Sequence, residues 1–94
     1  MHYVIHCLDH EGAVAKRLAL YDAHKAYLAA ATVRTVLSGP LLADDEATMI
    51  GSHFVLEAAS LAEAEAFNRN DPFFKAGLWK SVSIRAFAKR VDNR

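Results

Sequence analysis

Short apolar runs and one long amphipathic segment alternate along the chain, and their lengths and periods predict its elements. The run Tyr3–Leu8 is rich in β-forming residues and ends at Asp9-His10-Glu11-Gly12, which predicts a first strand. Ala13–Ala31 is dominated by alanine, leucine and charged residues with a 3.6-residue apolar period, which predicts a long helix. Thr32–Ser38 then predicts a second strand that stops at the turn Gly39-Pro40.

The middle of the chain predicts a loop, a strand and a second helix. Leu41–Met49 carries three consecutive acidic residues and reads as an exposed hairpin loop. Ile50–Glu57 alternates in the manner of a third strand. Ser60-Leu61-Ala62-Glu63 is a capping box, in which Ser60 accepts from the backbone of Glu63 and the Glu63 carboxylate reaches back. It opens a helix that we expect to run to about Arg69.

The last third of the chain completes a recognisable order of elements. Asp71-Pro72 is typical of a helix start, with one turn expected through Phe74, and Lys80–Ala88 predicts the last strand. The order β-α-β-β-α-β is the split βαβ pattern of the ferredoxin-like fold. We therefore predict a single α+β domain over residues 1–94, with a four-stranded antiparallel sheet and two helices on one of its faces.

The apolar residues expected on the other face of this sheet indicate that it packs against a partner. We expect Val4, Leu37, Phe54 and Trp79 to contribute to an open face that is too apolar to stay bare. A second copy of the chain is the simplest cover, so the sequence predicts a homodimer through the open sheet face.

Composition and charge narrow the classes of function. The 94 residues are 53% hydrophobic and 23% charged, and eleven basic residues balance eleven acidic ones. A globular chain without a net positive field is not expected to bind nucleic acid or an acidic membrane. Cys7 is the only cysteine, and no apolar run approaches the ~20 residues that cross a bilayer, so we expect neither a signal peptide nor a membrane span. These features favour a cytoplasmic location.

His24 and Arg17 occupy the centre of the apolar stripe of the predicted first helix. With His24 at zero, Arg17 falls near +20° and Leu28 near +40° on a wheel of about 100° per residue. Both polar groups need partners if they are buried, and Asp71 is the best candidate for His24. A carboxylate on one imidazole nitrogen fixes the tautomer and raises the basicity of the other. Arg17 is a candidate for a bidentate grip on a substrate carboxylate or phenolate.

Structural interpretations of the same residues remain open. Asp71 before a proline is also explained as a helix cap, and a histidine on an apolar helix face is often a satisfied core residue. His2, His6 and His10 repeat every four residues, which places neighbours roughly 13 Å apart along a strand, too far to share a metal ion. We expect no metal site there, and we expect His6 to face the dimer barrel and line its pocket.

Several motifs in a fixed order carry a resemblance to a known family. Between Tyr3 and Phe87 the chain is similar to the YciI-like family. The matching segments are His24 with Tyr27-Leu28, Ser38-Gly39-Pro40-Leu41, Gly51-Ser52, Ser60-Leu61-Ala62-Glu63-Ala64, Asn70-Asp71-Pro72-Phe73 and Ala76-Gly77-Leu78.

The resemblance implies a ferredoxin-like protomer that dimerises through its sheets into an α/β barrel, and a pocket around His24 and Asp71. It implies that Ser38 and Gly39 lie at the edge of this pocket, and Arg17 matches a basic position of the family. The chain departs from the family at Asp44-Asp45-Glu46-Ala47, where a turn with glycine is more common.

Together these features predict a small cofactor-free enzyme of the lyase or isomerase type, acting on a small aromatic or enolisable compound. His24 and Asp71 would form the catalytic pair, with Arg17, Ser38, Gly39 and His6 binding substrate. The sequence lacks a phosphate loop, a nucleophile elbow and a CxxC pair. The alternatives are a non-catalytic ligand-binding or accessory module, in which the His-Asp pair is structural, and a cofactor-free monooxygenase of the barrel type.

Overall fold

Four strands and three helices make up the fold in the computed structural model, which describes all 94 residues. In chain order they are β1 (His2–Asp9), α1 (Val14–Ala30), β2 (Arg34–Leu42), β3 (Met49–Glu57), α2 (Leu61–Arg69), α3 (Pro72–Lys75) and β4 (Trp79–Phe87). The strands form one antiparallel sheet in the order β2-β3-β1-β4. The predicted ferredoxin-like α+β fold is confirmed. No helix has the length and apolar character that a membrane crossing requires.

The two faces of the sheet follow from the alternation of side chains along β1. Tyr3, Ile5 and Cys7 are buried beneath the helices, whereas His6 and Leu8 are exposed on the opposite, open face. The cross-strand register continues this division, because Ile5 pairs with Phe54 on β3. The core therefore lies between the helices and one face of the sheet.

The register corrects the predicted composition of the open face. Phe54 is 1% exposed, and Trp79 is 8% exposed and packs edge-on to Phe73. Both aromatic side chains belong to the core, so placing them on the open face was wrong. Leu37 does remain exposed, and its cross-strand neighbour is Val55. The open face is thus less apolar than the sequence suggested, because strand register decides which face each position joins.

The second strand also runs further than predicted. It continues through Gly39-Pro40 to Leu42, and the connecting loop is correspondingly shorter. Proline is tolerated there because β2 lies at the edge of the sheet and pairs only with β3. The loop closes where Ala43 N donates to Thr48 O at 2.8 Å. Hydrogen bonds from Thr48 and from backbone amides lower the pKa of Asp45 to about 2.

The predicted helix starts are present. Glu63 N donates to Ser60 Oγ at 3.2 Å, and Glu63 Oε1 accepts from Ala59 N at 3.1 Å, which completes the capping box of α2. Asp71 is the N-cap of α3, where its side chain accepts from Phe73 N. This second cap brings α3 against α1 and so positions the candidate site.

Candidate active site

His24 and Asp71 meet in the space between α1 and α3. Nδ1 of His24 lies 2.9 Å from Oδ1 of Asp71 in hydrogen-bond geometry. Oδ2 is also 2.9 Å from Nδ1, but it has no hydrogen-bond partner. The two side chains are only 10% and 1% exposed. With the Asp71 carboxylate as acceptor, a neutral His24 imidazole carries its proton on Nδ1 and keeps a lone pair on Nε2.

Aromatic rings hold the plane of the His24 imidazole. The ring of Phe73 stacks on it, with centroids 4.0 Å apart and planes 12° apart, and Phe54 approaches it edge-on at 6.0 Å. Asp71 thus fixes one edge of the imidazole and Phe73 covers one face. Nε2 of His24 has no hydrogen-bond partner in the protein and is not fully buried. It is therefore accessible from the adjoining cavity, which His24 lines.

Arg17 is buried beside this pair, and its guanidinium is already engaged by the protein. Nε and Nη2 each donate to a carboxylate oxygen of Asp9 at 2.8 Å, and Nη2 also donates to Ser52 Oγ at 2.8 Å. The carbon of the guanidinium lies 4.8 Å from the centroid of the Phe73 ring. Because Nε and Nη2 already donate to Asp9, the bidentate hydrogen bonding to substrate that we expected of Arg17 is not available in this geometry. Only Nη1 remains without a protein partner.

Asp9 and Ser52 are parts of the site that sequence reasoning missed. Asp9 continues the helix-facing alternation of Ile5 and Cys7, so its position at the end of β1 was a signal for a partner of Arg17. Ser52 likewise precedes Phe54 by two residues and faces the same side of the sheet. Alternation along each strand would have pointed to both residues. Their contact with Arg17 depends on how α1 packs over the sheet.

A cavity of about 440 Å³ adjoins the pair, within the range of small-molecule sites. His24, Arg17, Ser38 and Gly39 all line it, so the structure brings four of the six predicted site residues to one cavity and Asp71 directly behind it. His6 is the exception, because it lies on the open face beside His53. The remaining walls are mostly apolar or aromatic, among them Leu18, Tyr21, Leu28, Met49 and Phe54.

The titratable side chains with basic groups that line the cavity have no acidic counterpart in its lining. Arg17, His24 and Lys25 line it, and no acidic side chain does. Asp9 and Asp71 lie behind Arg17 and His24 and are buried by them. Lys25 has no carboxylate partner, and its ammonium lies 5.1 Å from the centroid of the Tyr21 ring. The lining therefore favours a flat, apolar ligand that carries a negative or strongly hydrogen-bonding oxygen.

Cys7 lies outside the cavity and is buried in the core. Burial raises the pKa of its thiol to about 12, against a smaller opposing effect from its hydrogen bond with Asn68. A thiol that stays protonated is a poor nucleophile. Cys7 is a core residue, as the sequence suggested.

Known proteins resemble this chain over nearly its whole length. The model of the YCII-related domain matches residues 1–88. The Protein YciI of Escherichia coli O6:H1 is 34% identical, covering 95% of this chain and 98% of the relative. An uncharacterized protein of Haemophilus influenzae is 32% identical with the same coverage.

Two solved structures are similar in fold. The 5-chloro-2-hydroxyhydroquinone dehydrochlorinase TftG of Burkholderia phenoliruptrix AC1100, solved with 2,5-dihydroxybenzoquinone, has a TM-score of 0.80 and 33% identity, covering 94% of each chain. A NIPSNAP domain protein of Burkholderia xenovorans has a TM-score of 0.53 and 13% identity, covering 99% of this chain and all of the other. The second similarity concerns the fold alone.

Proposed function

The chain belongs to the YCII-related domain family, and from that premise we propose that it is a cofactor-free lyase acting on a small hydroxylated aromatic compound. The observation that carries the proposal is the 2.9 Å contact of His24 with Asp71 beside a cavity that Nε2 can reach. TftG, an enzyme of similar fold, removes the elements of hydrogen chloride from such a ring, as its name states. The same class of elimination suits the present cavity.

The proposed step needs one base and no oxidant. In the keto form of a hydroxylated ring, the proton of one hydroxyl group has moved to the ring carbon that bears the leaving group X, and Nε2 of His24 takes the proton of a second, conjugated hydroxyl group. The electron pair of the O–H bond forms a carbonyl, the ring double bond shifts, and the C–X bond breaks with both electrons on X⁻. A quinone-like product, the anion and an imidazolium result, and the imidazolium then returns its proton to water. Asp71 acts as a positioning residue that stabilises the imidazolium.

The walls of the cavity supply binding in this proposal. The aromatic side chains accept the flat faces of a ring, and Nη1 of Arg17 and the ammonium of Lys25 attract its phenolate oxygens. Ser38 and the backbone of Gly39 form the wall on the side of β2. Arg17 thus binds substrate through Nη1 alone rather than through two nitrogens at once.

We further propose that two copies of the chain pack through their open sheet faces. Leu37 is 59%, Phe87 42% and Leu8 39% exposed in the single chain, which leaves apolar surface for a partner to cover. His6 would then lie within the interface, not in the cavity of its own protomer. Light scattering should give about twice the 10.3 kDa of one chain, and Leu37→Lys should shift the mass towards the monomer. Cys7 as a free thiol is compatible with a reducing compartment such as the cytoplasm.

The enzyme proposal is tested with halogenated hydroxyhydroquinones and hydroquinones, assayed without oxygen and with a chelator present. Wild-type protein should release chloride and form the quinone chromophore, while His24→Gln should lose this activity with an unchanged circular dichroism spectrum. Chloride release at the same rate in both proteins would overturn the assignment of His24. No chloride release from any ring of the panel would overturn the elimination itself.

One observation favours the alternative of a ligand-binding module with a structural His-Asp pair. Asp71 caps α3, and Phe73 of the same turn packs on His24, so the pair also ties two helices together. Binding of a quinone or phenolate without turnover, measured by calorimetry, would favour this second reading.

A further inference from the structure

The open face of the sheet carries a second pair of imidazoles that the proposed function does not use. His6 on β1 and His53 on β3 are direct cross-strand partners. Their Nδ1 atoms lie 3.3 Å apart, and their ring centroids are 5.5 Å apart with planes at 71°. The sequence places these residues 47 positions apart, and only the β1–β3 register brings them together.

The distance between the two nitrogens has a specific chemical meaning. Two imidazole nitrogens bound at 2.0–2.1 Å to one tetrahedral ion are about 3.3–3.4 Å apart. A hydrogen bond between them would be long at this distance, and it would require one Nδ1 to carry the proton. Two neutral imidazoles with both lone pairs facing each other repel, unless a proton or a metal ion lies between them.

The chemistry of the two side chains suits a metal ion. A neutral imidazole keeps the lone pair that a metal needs. Imidazole nitrogen is a preferred ligand of zinc, cobalt, nickel and copper ions.

The surroundings leave room for further ligands. The cross-strand neighbours of the pair are Gly39 beside His53 and Ser83 beside His6. A methyl group on Gly39 would meet no atom within 4 Å, so no side chain covers His53 from that strand. The protomer has no group of three or more candidate protein ligands in reach of one ion. The other positions of the ion must therefore be filled by water or by a second copy of the chain.

We propose that His6 and His53 form a two-histidine site for a divalent transition-metal ion of tetrahedral preference, on the face of the sheet opposite the His24 cavity. The site is independent of the proposed elimination, because the sheet separates the two. The site differs from an arrangement of His2, His6 and His10 along one strand, since the partner of His6 lies across the sheet on β3.

The test uses the untagged full chain after treatment with a chelator, titrated with Zn²⁺ by calorimetry and with Co²⁺ by absorption at neutral pH. We expect saturable binding of no more than one ion per chain, and the visible bands of tetrahedral Co²⁺. His6→Gln and His53→Gln should each weaken Zn²⁺ binding at least about tenfold, the lower end of what an outer-shell substitution alone costs. Both variants should keep the circular dichroism spectrum of the wild type.

Two other histidines serve as matched controls. His2→Gln removes a histidine beside the terminal amine, and His10→Gln removes one just beyond β1, so neither should change Zn²⁺ affinity. The proposal is overturned if His6→Gln and His53→Gln bind Zn²⁺ as tightly as the wild type. It is equally overturned if His2→Gln alone abolishes binding, because the ion would then sit at the chain terminus. None of these measurements depends on finding a substrate.

Discussion

A single carboxylate oxygen of Asp71 caps helix α3 and also contacts the imidazole of His24. Oδ1 accepts from Phe73 N at 2.9 Å, which caps α3, and it lies 2.9 Å from Nδ1 of His24 on α1. The same atom therefore serves the fold and the candidate chemistry. Variants that keep the cap but change the charge can separate the two roles.

Asp71→Asn is expected to lower turnover much more than stability. Asparagine caps a helix about as well as aspartate, so α3 should persist and the melting temperature should change little. The neutral amide no longer stabilises the imidazolium, so kcat for the proposed elimination should fall by a large part of the roughly 10²–10⁴-fold expected for His24→Gln. Steady-state chloride release and thermal unfolding measure the two effects. A large loss of melting temperature with unchanged ligand binding would make the pair structural.

Asp9→Asn is expected to destabilise the protein strongly, because it leaves the charge of Arg17 buried without compensation. The two side chains are 3% and 5% exposed, and breaking a buried pair from one side typically costs about 3–5 kcal/mol. The exposed pair of Arg34 and Glu57 offers a matched control. Glu57→Gln should change the free energy of unfolding by at most about 1 kcal/mol. Equal effects in urea titrations of the two variants would contradict the role given to Asp9.

Gly51→Ala is expected to destabilise the sheet at the contact of β3 with β1. A methyl group there would clash with the carbonyl oxygen of Cys7, which belongs to the rigid backbone of β1. Overpacking of this kind typically costs about 1–3 kcal/mol. Gly39→Ala is the control, because a methyl group at that position of β2 meets no neighbouring atom. Urea denaturation should separate the two variants, and a Gly51→Ala protein as stable as Gly39→Ala would refute the close approach.

Cys7 is expected to make stability fall at alkaline pH. Burial raises the pKa of the folded thiol to about 12, whereas an unfolded thiol loses its proton near pH 8.5. The buried thiol therefore makes its full contribution to the free energy of unfolding below about pH 8.5. This contribution is lost as the pH rises towards 12, because over that range the thiol ionises in the unfolded state but stays protonated in the folded state. The difference in unfolding free energy between wild type and Cys7→Ala should follow this slope.

The same thiol should react slowly with iodoacetamide at pH 8 until urea unfolds the chain. Rapid alkylation of the native protein would show that Cys7 is accessible, and the alkaline slope would then lose its basis.

Local periodicity predicted most of the secondary structure. The 3.6-residue period marked α1, the capping box marked the start of α2, and Asp71-Pro72 marked α3. The order of these elements was enough to predict the ferredoxin-like fold. Periodicity also identified His24 and Arg17 as polar residues within an apolar stripe, because the position of a side chain around a helix follows from its number in the chain.

The tertiary structure alone decided which groups satisfy those residues and which faces they share. Arg17 pairs with Asp9, so the two guanidinium nitrogens that were predicted to bind substrate already donate to a carboxylate of the protein. Phe54 lies in the core and His53 beside His6, since the pairing of β1 with β3 sets both positions. Alternation within a strand fixes side chains relative to one another, but only long-range hydrogen bonding selects the register that assigns each set to a face. His24 could therefore be recognised from the sequence as needing a partner, whereas the cavity beside it required the packing of α1 and α3 over the sheet.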